Sequence, residues 1–216
     1  MRYTKQYSKH LNYRTMPNVE QLTVIFLGPQ GSGKGTQVDL LTNYLKQHDT
    51  RPVVLFSMGT ALREFSGHRG YTQDIVSESL ASGELQPLFL ASALLAEYLV
   101  ENVKNEEHLI VDGFPREENQ IAVFDSAIHF YRRRMPVVFN VMVSDAVATE
   151  RLTKRGRSDD EAESIKKRLA WSREHTQKVL EWFKHNPAYQ YHDIAGERSV
   201  EDVHKEIMAA LELPPL

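Results

Sequence analysis

The chain has 216 residues, of which 41% are hydrophobic and 25% are charged, a composition typical of a soluble globular protein. It contains no cysteine, which excludes disulfide bonds, cysteine-bound zinc and thiol nucleophiles. The formal net charge of -3 argues against a general nucleic-acid-binding protein. No apolar run reaches about 18 residues, and the start resembles no secretory signal, so we expect a cytoplasmic protein without a membrane span.

Residues 1–21 are predicted to be an N-terminal tail that precedes a folded domain over residues 22–216. The segment lacks apolar periodicity and has several basic residues but no acidic residue before Glu20. A cleaved organelle presequence would also be basic and poor in acids, which leaves it as the alternative interpretation.

Five short apolar runs predict the strands of an α/β fold. They occupy residues 24–27, 53–56, 109–111, 137–143 and 189–194. Their nearly continuous hydrophobicity is typical of parallel strands that helices cover on both faces, and helical patterns alternate with them, notably at 88–102 and 165–183. The arginine run 132–134, just before the fourth strand, is predicted to be a solvated turn rather than an anion site.

A glycine-rich segment follows the first apolar run and opens a helical pattern. It reads Gly-Pro-Gln-Gly-Ser-Gly-Lys-Gly-Thr over residues 28–36. Glycines let consecutive backbone N–H groups turn toward phosphate oxygens, and the helix N-terminus adds a partial positive charge. Lys34 would reach the β and γ phosphates of a nucleotide. Because Gly35 replaces the usual magnesium-binding hydroxyl and Thr36 comes one residue later, the segment disfavours a GTPase or a motor ATPase.

Charged residues follow the predicted strands at the edge where open α/β sheets bind ligands. Asp112 comes directly after the third run and is placed to hold Mg²⁺ through water molecules. Arginine suits phosphoryl transfer because its planar group binds phosphate through two hydrogen bonds and stays charged. The candidate arginines are Arg63, Arg116, Arg151, Arg155, Arg157 and Arg168.

Four motifs, in order along the chain, resemble those of the adenylate kinase family. They are Gly-Lys-Gly-Thr-Gln at 33–37, Ser-Met-Gly-Thr-Ala-Leu-Arg at 57–63, Asp-Gly-Phe-Pro-Arg at 112–116 with Gln120, and the arginine-rich segments 151–160 and 166–168. The resemblance implies a P-loop NTPase fold with a five-stranded parallel sheet, a helical acceptor-binding insert at 60–86 and a very short lid at 156–160. It also implies a monomeric kinase that uses ATP and Mg²⁺ without zinc, acts on small nucleotides, and binds neither nucleic acid nor membrane.

The resemblance also assigns roles to single residues. The catalytic group is Lys34, Arg116, Arg155, Arg157 and Arg168. The ATP-binding group is Gly31, Ser32, Gly33, Lys34, Gly35 and Thr36, with Arg151 against the base. The AMP-binding group is Met58, Arg63, Gln86, Gly113, Arg116, Gln120, Arg157 and Arg168. Asp112 would hold Mg²⁺, while Asp159 and Asp160 would pair with arginines when the lid closes.

The base of the acceptor is predicted to be adenine. Gln120 favours AMP because its amide can both donate to and accept from an adenine edge, whereas the related UMP/CMP kinases tend to have Asn there. Met58, Thr60 and Gln86 depart from the adenylate kinase pattern, so a kinase for UMP, CMP or another monophosphate is the nearest alternative. A catalytically weak nucleotide-binding regulatory protein is the third reading, which Lys34 and the six arginines disfavour.

Overall fold

The computed structural model describes residues 20–157 and 160–214, and their centre is a parallel sheet. Its strands are β1 (Thr23–Leu27), β2 (Val53–Ser57), β3 (His108–Asp112), β4 (Val137–Met142) and β5 (Gln190–Ala195). They lie in the order β2-β3-β1-β4-β5, and every neighbouring pair is parallel. The structure therefore confirms the predicted α/β fold with five parallel strands.

Helices connect the strands in the described part of the chain. They are α1 (Lys34–His48), α2 (Met58–Ser66), α3 (Tyr71–Ala81), α4 (Leu88–Asn102), α5 (Glu118–Phe130), α6 (Asp145–Arg155), α7 (Ala162–Trp171), α8 (Gln177–His185) and α9 (Val200–Ala210). One π-helical turn, Ser172–Thr176, joins α7 to α8, so the helical pattern predicted over 165–183 is interrupted. None of the described helices is long and apolar enough to cross a lipid bilayer.

The core lies on both faces of the sheet because β1 is buried along its whole length. Ile25 and Leu27 belong to an apolar cluster that includes side chains of α4, α5 and α8. Val24 and Phe26 point to the other face, where α1 and α9 pack. Side chains of successive strand residues alternate between faces, so the continuous apolar run of β1 supplies both layers.

The strand order brings the carboxyl ends of three strands to one place. Phe26 in β1 lies in register with Asp112 in β3, and Asp112 in turn lies in register with Ser57 in β2. The glycine-rich loop leaves from β1, and α2 begins directly after β2. Segments that are far apart in the sequence therefore meet at a single edge of the sheet, where ligands bind in open α/β folds.

The helices α2 and α3 lead from β2 toward α4, and the chain that follows α3 packs closely against α7. Ser164 Oγ in α7 donates a hydrogen bond to the carbonyl oxygen of Ala81 at 2.8 Å. Gly83 has a φ of +75°, and a Cβ atom there would lie 3.0 Å from the carbonyl oxygen of Ser164. Only glycine suits both the left-handed backbone and this close approach.

The arginine run before β4 is not simply a solvated turn, and this part of the sequence prediction is wrong. Arg132 and Arg134 are exposed, but Arg133 is buried. Its Nη1 donates to the carbonyl oxygen of Glu107 at 2.7 Å, and its Nη2 pairs with the Glu107 carboxylate. Burial would raise the pKa of Glu107, but backbone N–H groups and the Arg133 charge hold it below its usual value. Arg133 thus ties the turn to the start of β3.

Replacing Arg133 by methionine should lower the free energy of unfolding by about 3–5 kcal/mol, because Glu107 would stay buried without its partner. Arg134→Met is the matched control, and this exposed position should change the same quantity by about 0.5 kcal/mol or less. Urea unfolding of both variants measures the difference. Equal losses in the two variants would contradict a structural role for the buried ion pair.

Candidate active site

The loop between β1 and α1 is shaped to surround an anion. Gly31 has a φ of +80°, and a Cβ atom there would lie 2.7 Å from the carbonyl oxygen of Ala148, so a side chain is excluded. Helix α1 begins at Lys34, and the first residues of that helix point unpaired N–H groups toward the loop. Gly35 and Thr36 are exposed at this helix end, whereas Ser32 is buried.

The side chain of Lys34 lies across this loop. Its Nζ donates to the carbonyl oxygens of Gly28 and Pro29 at 2.8 and 2.6 Å, and to Ser32 Oγ at 3.3 Å. Phosphate oxygens are stronger, charged acceptors for the same ammonium group. The loop therefore holds Lys34 where an incoming phosphate chain can take over its hydrogen bonds.

The charges of the site act on one another. Burial, against the opposing charge of Asp112 and with the help of Arg116 and Arg155, lowers the pKa of Lys34 to about 8. Burial also lowers the pKa of Arg116, again opposed by Asp112, while Arg168 and Arg63 add to the shift. Such mutual effects require short separations in a medium of low polarity. Lys34, Arg116 and Asp112 thus lie close enough to influence one another, whereas Arg63 acts on Arg116 from an exposed position.

Arg116 is fixed by its own backbone surroundings. Its Nε donates to the carbonyl oxygen of Gly113 at 2.7 Å, and its backbone N–H donates to Gln120 Oε1 at 2.8 Å. Thr176 Oγ1, in the π-helical turn, donates to the carbonyl oxygen of Arg116 at 3.4 Å. These contacts orient the guanidinium and the Gln120 amide as one unit, which is what a preorganised charge requires.

Asp160 joins two of the predicted catalytic arginines. Arg155 binds it through two hydrogen bonds of 2.8 and 2.7 Å, and Arg168 Nη2 donates to it at 3.0 Å. Burial would raise the pKa of Asp160, but these two arginines hold it below its usual value. Asp160 therefore pairs with arginines as the sequence predicted, whereas Asp159 lies outside the described residues.

Three further predicted residues lie outside the cleft wall. Arg151 is beside the loop, where its Nη1 donates to the carbonyl oxygen of Gly196 at 2.9 Å. Arg157 is exposed, and its backbone N–H donates to Asp160 Oδ2 at 3.3 Å. Arg63 is also exposed, and its Nη2 donates to Thr60 Oγ1 at 3.1 Å. Nucleotide binding or movement of the inserts would have to bring the charges of Arg63 and Arg157 into the cleft.

A cleft opens beside the loop and receives side chains from the core, the insert and α7. Six of the eight residues predicted to bind AMP line it: Met58, Gln86, Gly113, Arg116, Gln120 and Arg168. Sequence reasoning missed Trp171, Ser172 and Thr176, which line the same cleft. Trp171 follows Arg168 by three residues, a helical spacing that places both on one face and could have indicated it.

A magnesium ion would find one carboxylate at the edge of the sheet. Asp112 ends β3, and its Oδ2 accepts a hydrogen bond from Ser57 Oγ at 3.1 Å. Within the described residues, no group of three or more acidic or histidine side chains could hold a metal ion. Magnesium commonly keeps several waters and binds through one or two carboxylates together with substrate phosphates, so the single Asp112 fits this mode.

A glycine loop between a parallel strand and a helix, next to a cleft with converging arginines, defines a P-loop protein that handles phosphorylated nucleotides. A family model described as adenylate kinase matches residues 26–188. The chain belongs to the adenylate kinase family, as the sequence motifs indicated. Members of this family are phosphotransferases, so the protein is a nucleoside monophosphate kinase.

Curated relatives agree on the family but differ in their acceptor. An adenylate kinase of Azobacteroides pseudotrichonymphae is 31% identical over 88% of this chain and 97% of its own length. Adenylate kinase 1 of Nostoc is 32% identical over 87% and 97%. A uridylate kinase of Saccharomyces cerevisiae is 34% identical over 89% and 92%. The family is therefore established, while the acceptor base has to be argued from the site.

The lowered pKa of Lys34 predicts how ATP affinity depends on pH. Only the charged amine attracts phosphate, and with a pKa of about 8 it is mostly neutral at about pH 9. Between about pH 7 and about pH 9, ATP affinity should fall by about tenfold. Isothermal titration at both pH values measures the change. The Lys34→Met variant should bind ATP more weakly, with little dependence on pH. If this variant kept the wild-type pH dependence of ATP affinity, the assignment of that dependence to Lys34 would be contradicted.

The position of Trp171 predicts a fluorescence signal for nucleotide binding. Trp171 lines the cleft and stacks on His175 at 4.9 Å between ring centroids, whereas Trp182 packs against Phe183 and Tyr189. Binding of the acceptor should change the emission of Trp171 because its surroundings become drier. Trp171→Phe should abolish the change and Trp182→Phe should retain it. The reverse result would place the acceptor elsewhere.

Proposed function

We propose that the protein transfers the γ-phosphate of ATP to AMP and so forms two molecules of ADP. The observation that carries this proposal is the environment of Gln120. Its side chain is 2% exposed in the wall of the cleft, and the Arg116 backbone N–H holds its Oε1 at 2.8 Å. The Nε2 group is then the end of the amide left to donate to a ring nitrogen such as that of adenine. The adenylate kinases among the relatives support this choice.

The arrangement of charge suits direct transfer between two nucleotides. A phosphate oxygen of the acceptor forms a bond to the γ-phosphorus, and the bond from that phosphorus to the bridging oxygen of the leaving ADP breaks. Lys34 and the loop amides would hold the donor phosphates, while Arg116, Arg155 and Arg168 would neutralise charge on the transferred group. No general base is required, because the acceptor phosphate is already an anion.

Magnesium belongs to the same proposal. Family members use ATP with Mg²⁺, and when bound the ion adds positive charge at the β and γ phosphates. Asp112 is the residue that would hold it, and Ser57 would keep the Asp112 carboxylate oriented through their hydrogen bond. We also propose, from the resemblance and the net charge of -3, a cytoplasmic monomer that binds nucleotides rather than nucleic acid or membranes.

UMP is the second candidate acceptor, and two specific observations favour it. The yeast relative with 34% identity is a uridylate kinase. Met58, which departs from the adenylate kinase pattern, is buried in the cleft wall. Met58 packs adaptably against flat rings and so does not require a purine. The two candidates share every step of phosphoryl transfer and differ only at the base.

Coupled assays of ADP formation with AMP, UMP, CMP and GMP test this proposal. AMP should give the highest kcat/KM. Gln120→Asn shortens the side chain by one methylene group, and it should lower kcat/KM for AMP by about 10- to 100-fold, the cost of a lost hydrogen bond in a buried site. Ser77→Ala, at an exposed position of α3, is the control and should behave as wild type. Turnover of UMP in preference to AMP would overturn the choice of acceptor.

A further inference from the structure

Gln86 is a buried polar side chain at a position that departs from the adenylate kinase pattern. It follows α3, is 5% exposed and lines the cleft together with Met58 and Gln120. An amide costs free energy when buried unless both of its ends find partners. The partners of Gln86 therefore indicate what the side chain does.

Ser79 fixes which end of this amide remains available. The Ser79 hydroxyl donates its own hydrogen to the carbonyl oxygen of Val76 at 3.0 Å, so its oxygen is an acceptor toward Gln86. Gln86 must therefore contribute its Nε2 to the 2.7 Å contact with Ser79 Oγ. The carbonyl oxygen Oε1 of Gln86 accepts no hydrogen bond from any residue that the structure describes, yet it is not sealed from solvent.

The Gln120 amide is oriented the other way, with its oxygen hydrogen-bonded to the protein and its nitrogen available. The Arg116 backbone N–H can only donate, so it assigns Oε1 to the occupied end of the Gln120 amide and leaves Nε2 as the free donor. The cleft wall thus carries one oriented acceptor, from Gln86, and one oriented donor, from Gln120. Neither amide can reverse without breaking the hydrogen bond that orients it.

We propose that Gln86 determines base specificity by accepting a hydrogen bond from the exocyclic amino group of the acceptor base. Gln120 donates to the neighbouring ring nitrogen, and Ser79 acts as a positioning residue that keeps Oε1 of Gln86 toward the base. Adenine offers an amino group beside a ring acceptor. A 6-oxo purine would instead set a carbonyl oxygen against Oε1, which is unfavourable. This role rests on the proposed transfer of phosphate to AMP.

Comparing three acceptor nucleotides isolates the contribution of the amino group. They are AMP itself, purine riboside 5′-monophosphate without the amino group, and IMP with an oxygen in its place. For wild type, kcat/KM for AMP should exceed that for the purine riboside monophosphate by about tenfold or more, as expected for one buried hydrogen bond. The value for IMP should be lower still. In Gln86→Leu, the values for AMP and the purine riboside monophosphate should differ by about threefold or less, whereas IMP should remain a poor acceptor because its protonated ring nitrogen still faces the Gln120 donor.

Ser79→Ala tests the same role without changing Gln86 itself. Without the Ser79 hydroxyl, the Gln86 amide is no longer held in one orientation. The ratio of kcat/KM for AMP to that for the purine riboside monophosphate should then fall by at least about threefold. Ser77→Ala, on the exposed side of the same helix, should leave the preference unchanged. Because the readout is a ratio between two acceptors of one protein sample, a general loss of stability cancels from it.

The outcomes distinguish this role from the proposed function. If wild type phosphorylates AMP but Gln86→Leu and Ser79→Ala keep the wild-type preference for the amino group, only the role of Gln86 is overturned. If wild type phosphorylates none of the purine monophosphates, the proposed function itself fails before any variant is made. Loss of the preference in both variants, with the Ser77→Ala control unchanged, supports the specificity role.

Discussion

The site depends on holding several positive charges close together in a cleft of low polarity. Lys34, Arg116 and Arg168 would repel one another, and the lowered pKa values of Lys34 and Arg116 record that cost together with their burial. Backbone carbonyl oxygens and the carboxylates of Asp112 and Asp160 offset it. A polyphosphate chain relieves the repulsion more completely than these groups can. This arrangement therefore suits the negative charge that develops during phosphoryl transfer.

The fold supplies this arrangement by bringing strand ends together. The loop leaves β1, Asp112 ends β3, and Ser57 ends β2, so all three share one edge of the sheet. The buried core on both faces keeps that edge rigid, because a displaced strand would expose apolar side chains on two sides. The charges are thus placed by backbone hydrogen bonding and not by flexible loops alone.

The chain at the end of α3 packs against α7, the helix that carries Arg168. The Ser164 hydroxyl binds the carbonyl oxygen of Ala81, and Gly83 approaches the backbone of Ser164 closely. Gln86 lies only three residues beyond Gly83. The cleft wall that contains Gln86 is therefore linked by these contacts to the helix that carries Arg168.

How much of this protein follows from its sequence depends on the range of the interactions involved. The strands, the glycine loop and the family motifs each lie in a short segment of the sequence. Hydrophobic pattern was therefore enough to predict the parallel sheet, and the resemblance of the motifs was enough to indicate the kinase family. The resemblance to the family also implied that Asp160 pairs with arginines, and its partners lie five and eight residues away.

Tertiary structure alone decided the features whose partners are distant or whose orientation matters. Arg133 is buried because Glu107, 26 residues earlier, meets it across the start of β3. The π-helical turn brings Thr176 to the backbone of Arg116, 60 residues away, which helical periodicity cannot foresee. The sequence shows that residues 86 and 120 are glutamines, but only their packed neighbours determine which end of each amide is hydrogen-bonded to the protein. A residue type specifies the groups it carries, whereas the folded surroundings specify where they point.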